Sequence, residues 1–317
     1  MKAFKWYIVI LCGLLLCCSI IACNPLKKDD KLSPVKIGEK WGYIDKTGKI
    51  VINAQFDSVF YFSEGLAPIN IGKKFGYIDK TGKYIINPQF DDTECFSEGL
   101  APVKIGAKWG YIDKTGKYVI NLQFDKAGYF FEGLAPIKIG EKFGYIDKTG
   151  KYLINPQFDY AECFSEGLAP VMIGQEWGYI DKTGKIVINA QFDSAFFFSE
   201  GLAPVMIGQK RGYIDKTGKY VINPQFDNNA KFFSEGLAQV KIGKKWGYID
   251  KTGKYVINLQ FDDAGPFFEG LAPVMIGQKW GYIDKTGKIV INPQFDEASN
   301  FVEFLILLTN FSKELPK

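Results

Sequence analysis

An octapeptide, Gly-Tyr-Ile-Asp-Lys-Thr-Gly-Lys, begins at Gly42 and returns unchanged at Gly76, Gly110, Gly144, Gly178, Gly212, Gly247 and Gly281. The step is 34 residues throughout, except for one step of 35 between Gly212 and Gly247. A fixed period in this range marks a repeat architecture, in which each unit is one supersecondary element completed by its neighbours. A unit of this length carries too few apolar side chains to offset its own chain entropy. The units must therefore stack.

Within a unit the pattern is that of strands. In Leu66-Ala67-Pro68-Ile69-Asn70-Ile71, residues Ala67, Ile69 and Ile71 alternate at period two. Gly72-Lys73-Lys74 turns the chain into a second strand, Phe75-Gly76-Tyr77-Ile78-Asp79. Asp79-Lys80-Thr81-Gly82 then has the chemistry of a type I turn closed by a glycine bulge, leading into Tyr84-Ile85-Ile86-Asn87. An irregular return through Phe96-Ser97-Glu98-Gly99 joins the next unit. The expected fold is all-β, with eight tandem three-stranded antiparallel units. Eight units suit a propeller-like ring, while three strands rather than the usual four per blade suit an open β-superhelix. The balance tips slightly to the ring.

A longer rhythm underlies the short one. The residue after the third-strand Asn reads Ala54, Pro88, Leu122, Pro156, then Ala190, Pro224, Leu259, Pro293. Copies one and five, and three and seven, also agree in their loops, so a four-unit block has been duplicated.

The segment preceding the repeats has a different logic. Residues 1–22 read as a signal peptide, with Lys2 and Lys5 before an apolar run from Tyr7 to Ala22. That run is shorter than the roughly 20 residues of a spanning helix. Ile20-Ile21-Ala22-Cys23 resembles the lipobox of bacterial lipoproteins, and the resemblance implies cleavage before Cys23 and lipid attachment to its thiol. Asn24 is not the Asp that retains such proteins at the inner membrane of enteric-type bacteria. Residues 23–31 are then the lipidated Cys and a polar tether, 32–303 the repeat domain, and 304–317 a divergent tail. In the tail Phe304 replaces an expected Gly, and Leu305 to Leu308 is apolar: a capping strand or a ninth unit cut short.

The motif set Trp41-Gly42-Tyr43-Ile44-Asp45, Gly48, Phe56-Asp57 and Glu64-Gly65-Leu66-Ala67 resembles the bacterial WG-repeat (KWG-repeat) family over nearly the whole stretch from Leu32 to Glu303. The Trp stands at 41, 109, 177, 246 and 280, becomes Phe75 and Phe143 in two copies, and is replaced by Arg211 in one. The resemblance implies an envelope or surface setting and an interaction role, without a defined chemistry.

Composition narrows the function classes. The chain has no histidine, which removes the commonest general acid–base and zinc nitrogen ligand. Lys and Arg number 39 against 35 Asp and Glu, a formal charge of +4, unlike the basic balance of a nucleic-acid binder. Of six cysteines, only Cys95 and Cys163 lie in the repeats. They occupy one repeat position two units apart, too distant for a disulfide, and read as small buried hydrophobes.

The candidate chemistry is repetitive. Asp45, Asp57 and Glu64 recur in every unit, whereas an active site is unique, so they read as turn and rim acids. Asp-Lys-Thr-Gly-Lys lacks the alternating acids of a calcium loop. Lys46 and Lys49 and their counterparts place two lysines per unit on one edge, a band able to attract a polyanion or simply to solubilise. Trp41 and Tyr43 are expected to pack between units, with the adjoining glycine allowing close approach; stacking on sugar rings is the rival role. Symmetry breaks at Arg211 and at the insertion around Asn228-Asn229, where a unique site would sit. The expectation is an exported, lipid-anchored, non-enzymatic scaffold presenting a protein-interaction surface at the cell envelope, without cofactor, metal or nucleic acid. Its alternative is a glycan-binding module for wall or surface polysaccharide.

Overall fold

The computed structural model describes residues 32–45, 49–227 and 231–295. These residues form eight antiparallel sheets in sequence order, one per repeat, and no helix. The second unit shows the pattern. A two-residue strand, Ser58–Val59, pairs with Leu66–Ile71, which pairs with Lys74–Asp79, which pairs with Tyr84–Phe90 at the outer edge. Six sheets have these four strands and two have three. The three strands read from the sequence are present in every unit. The short fourth strand is a correction: it is cut from what reads as an irregular return, because Ser58 and Val59 fall opposite Asn70 and Ile69.

The two hairpins follow from local chemistry. Ile71 faces Lys74 across Gly72-Lys73, whose φ angles of 59° and 70° make the mirror-image turn that matches strand twist. At the second turn the Gly82 amide donates to the Asp79 carbonyl at 2.9 Å, and Gly82 takes φ 85°, as a type I turn with a glycine bulge requires. The first strand departs from simple alternation. Leu66 to Ile69 are all buried, whereas Ile71, which alternates with Ala67 and Ile69, is exposed at the turn.

The glycine of the Trp-Gly pair answers a different need from the one expected. Phe75 pairs with Phe90 and Tyr77 with Ile86, so Gly76 alone faces Asn87-Pro88-Gln89, a bulge in the third strand. A Cβ on Gly76 would stand 2.5 Å from the Ile86 carbonyl oxygen and 2.6 Å from the Pro88 nitrogen. The close approach is to the unit's own third strand, not to a neighbouring unit.

Each core belongs to two units. Leu66, Tyr77, Ile86 and Phe90 of the second unit pack with Phe96, Ala101, Val103 and Ile112 of the third. The same cluster recurs at all seven junctions. The central tyrosine is buried, and its hydroxyl donates to a carbonyl of the linking loop: Tyr43 to Phe60 at 2.6 Å, Tyr111 to Gly128 and Tyr145 to Glu162 at 2.7 Å. Burial of this phenol raises its pKa, so the donor stays protonated. Between loops, Ser63 Oγ donates to the Phe96 carbonyl at 2.7 Å, and the contact repeats at Ser97, Ser165, Ser199 and Ser234.

Among the described residues no core cluster joins the first unit to the eighth, and ring closure is not seen. Among the described residues nothing packs on the outer faces of the end units. Phe295 is 42% exposed, whereas its seven counterparts are at most 4% exposed.

Candidate interaction surface

The repeated acids serve the stack. Asp79 Oδ1 accepts from the Thr81 hydroxyl at 2.6 Å, the Thr81 amide at 2.9 Å and the Lys83 amide at 3.1 Å. These bonds hold its carboxyl below the ordinary range, the Thr81 hydroxyl most strongly. Asp57 clamps two units: Lys40 Nζ of its own unit donates to Oδ1 at 2.5 Å, and the Gly72 amide of the next donates to Oδ2 at 2.8 Å. The Lys40 contact leads in lowering its pKa. Glu64, at φ 51°, accepts from the Gly99 amide of the following loop at 3.1 Å. Asp57 and Glu64, expected as rim acids, are therefore inter-unit fasteners as well, whereas Asp79 acts within its own turn.

The lysine edge divides into two populations. From the third unit onward the first lysine of the turn reaches back to an acid 50 or 51 residues earlier: Lys114 to Glu64, Lys148 to Glu98, Lys182 to Glu132, Lys216 to Glu166, Lys251 to Glu200 and Lys285 to Glu235, at 2.8–3.1 Å. Six lysines of the expected band are thus partly neutralised. Lys46, the first-unit member of this set, lies outside the described residues. The second lysine remains exposed in every unit, from Lys49 and Lys83 to Lys288. Lys49 fastens only its backbone, its amide donating to Asp45 Oδ1 at 3.1 Å.

Beside each second lysine stands an exposed aliphatic residue of the third strand: Val51, Ile85, Val119, Leu153, Val187, Val221, Val256 and Val290. At the opposite turn a second row runs from Ile37 and Ile71 to Ile276. The surface of the stack is thus a periodic mixture of lysine and aliphatic side chains. They stand next to the buried isoleucines of the same strand and so point to its opposite, outward face.

The aromatic rings are less available than the sequence allows. Tyr43 and its counterparts are buried. The second-strand aromatics are buried or half-buried, and three lie under first-strand lysines: Lys104 over Trp109 at 5.9 Å, Lys138 over Phe143 at 5.6 Å and Lys241 over Trp246 at 5.4 Å. The expectation of packing roles for this strand fits these contacts.

Arg211 requires a correction. It does not lie on the surface; it is 3% exposed and takes the place of the tryptophan, its guanidinium 4.4 Å from the centre of the Phe196 ring. Desolvation lowers its pKa to about 10, which leaves it charged at neutral pH. A planar cation stacked on an aromatic face fills an indole's site with little rearrangement. Asn228 and Asn229 lie outside the described residues, as do Cys23, the signal peptide, the tether and the tail. Cys95 and Cys163 are buried and in no disulfide, with Tyr129 in the same small cluster.

Comparison with known proteins agrees with this geometry. A search of curated proteins finds none that matches the chain. Among solved structures the chain resembles a crystal structure of the eukaryotic initiation factor, with TM-score 0.60 and 9% identity over 83% of this chain and 84% of that one. It also resembles dihydro-heme d1 dehydrogenase NirN in complex with DHE, with TM-score 0.51 and 11% identity over 83% of this chain and 74% of that one. At such identities the likeness concerns fold alone, a propeller-like succession of sheets. The model of the WG containing repeat matches residues 41–75, 75–109, 109–143, 143–176, 177–210, 212–246, 246–280 and 280–303. The chain belongs to the WG-containing repeat family.

Proposed function

We propose that this protein is a non-catalytic scaffold that binds another protein along the outer edge of its stack, and that lipid on Cys23 holds it at the bacterial cell envelope. The observation that carries the binding reading is the periodic surface of exposed lysines and third-strand aliphatics, repeated once per unit while the acids and aromatics are engaged within the stack. Aliphatic side chains desolvate well against a protein and offer no flat ring to a sugar. Three of the aromatics a glycan would need already carry a lysine over the ring. The glycan reading is therefore second, supported by the remaining lysine row. Envelope placement rests on the lipobox resemblance of Ile20-Ile21-Ala22-Cys23.

The test is capture by the full chain, immobilised in mild detergent, of purified envelope proteins and separately of envelope polysaccharide. The protein reading predicts a defined protein partner that is lost when Val119, Leu153 and Val187 are changed together to Ser. Retention of polysaccharide that disappears as salt rises, with no protein captured, would replace it with the glycan reading. Labelled fatty acid should enter the wild type and not Cys23→Ala; labelling of both would remove the anchor.

A further inference from the structure

The two ends of the stack are opposite halves of an interface that the chain builds seven times. At the fourth junction Tyr145, Ile154 and Phe158 of one unit meet Ala169, Val171 and Ile180 of the next, all buried. The eighth unit ends in the same three residue types, Tyr282, Ile291 and Phe295. Ile291 is half-exposed where its counterparts are 3% exposed, and Phe295 is the open ring noted above. The first unit carries the complementary half as Ser33, Val35 and Ile44. Val35 and Ile44 are half-exposed, although the residues in those places are buried in every later unit.

We propose that this chain assembles end to end with further copies of itself, the eighth unit of one copy seating on the first unit of the next. The four-unit rhythm makes the match close. Unit eight is of the same type as unit four, and unit one of the same type as unit five, so the new junction repeats the fourth junction in phase. Its only change among the six named positions is Ser33 in place of Ala169. The two faces differ from one another, so the contact is head to tail, and a head-to-tail contact that does not close extends into a filament. The seven internal junctions show what covers each face, and a second copy supplies both coverings at once. Residues 305–308, which begin ten positions after Phe295 just as Leu66 follows Phe56, are the competing occupant for one face only. This inference rests on the junction geometry and is independent of the partner proposed above.

The test is the mass of the full chain in mild detergent, read by sedimentation across a hundredfold range of concentration. The wild type should grow in mass with concentration. Val35→Glu, at a half-exposed place, and Phe295→Glu, at an exposed one, should remain single chains. Mixing the two variants should give two-chain species and nothing larger, because each lends its one intact face. A wild type that stays a single chain throughout would overturn the proposal, showing the faces covered by the tail or by closure within the chain. Growth that persists in both variants, or two-chain species in either variant alone, would overturn it equally. The wild-type series decides the matter even if a variant fails to fold.

Discussion

Gly144 should not tolerate even a methyl group. A Cβ there would lie 2.5 Å from the Ile154 carbonyl oxygen, 2.6 Å from the Pro156 nitrogen and 2.8 Å from the Asn155 carbonyl carbon. All three are backbone atoms, and Pro156 has no freedom in φ with which to retreat. Relief requires the second and third strands to part by several tenths of an ångström. Overpacking of this kind costs about 1–3 kcal/mol, and each ladder hydrogen bond weakened adds up to about 1 kcal/mol. The loss of glycine entropy in the unfolded chain returns only about 0.4–1 kcal/mol. Gly144→Ala should therefore destabilise by roughly 2–3 kcal/mol. Gly144 does not sit at positive φ, unlike Gly150 at 87°, so the loss would come from contact and not from backbone strain. The assay is urea unfolding of the full chain followed by tryptophan fluorescence, with Lys151→Ala as the surface control. The control should shift stability by no more than about 0.5 kcal/mol. If Gly144→Ala also stayed within that range, the account of the bulge would be wrong.

Substitutions at three further positions probe the stack. Burial pushes the Glu162 carboxyl up to about 8, and its Oε2 finds no hydrogen-bond partner. The folded chain holds this proton more tightly than the unfolded chain, so Glu162 carries no penalty below its ordinary value of 4.5 and an increasing one from there to about 8. Glu162→Gln should match the wild type near pH 4.5 and exceed it at pH 9, the gap opening by up to about 1.4 kcal/mol per pH unit; a gap independent of pH would refute the assignment. The Thr149 hydroxyl and nearby amides lower the Asp147 pKa below 3.8, so its contribution is present above that value and lost as pH falls through the lowered one. Asp147→Asn should lower the urea midpoint at pH 7, and the gap should narrow as pH falls below 3.8. Arg211→Trp should be neutral or stabilising, since it restores the residue found in five other units, whereas Arg211→Ala should cost about 1–3 kcal/mol through lost stacking and stem burial; equal loss in both would mean the charge itself is required.

What could be read in advance was what local chemistry dictates. Asp-Lys-Thr-Gly specifies its turn because the carboxylate, hydroxyl and glycine act within five residues. Strand periodicity and the 34-residue step gave three strands per unit and a shared core. The short fourth strand was not legible. Its two residues read Ser-Val, Asp-Thr, Lys-Ala, Tyr-Ala, Ser-Ala or Asp-Ala, with no common strand preference, and pairing alone makes them a strand. Nor was the Lys114–Glu64 pairing, which joins neighbouring units across 50 residues and divides a lysine band that composition presents as uniform. Arg211 misled for a related reason. A lone charged residue reads as surface until the ring of Phe196 is seen beneath it.

The central claim is that every unit is completed only by its neighbours, in a succession whose two end faces lack such a cover among the described residues. Amide hydrogen exchange, resolved by unit on the full chain at low concentration, tests it most directly. The account predicts the slowest exchange at the Tyr145 and Tyr179 strands, with protection falling toward the first and eighth units. Equal protection of all eight units at that concentration would contradict it, because only a closed succession gives every unit two neighbours.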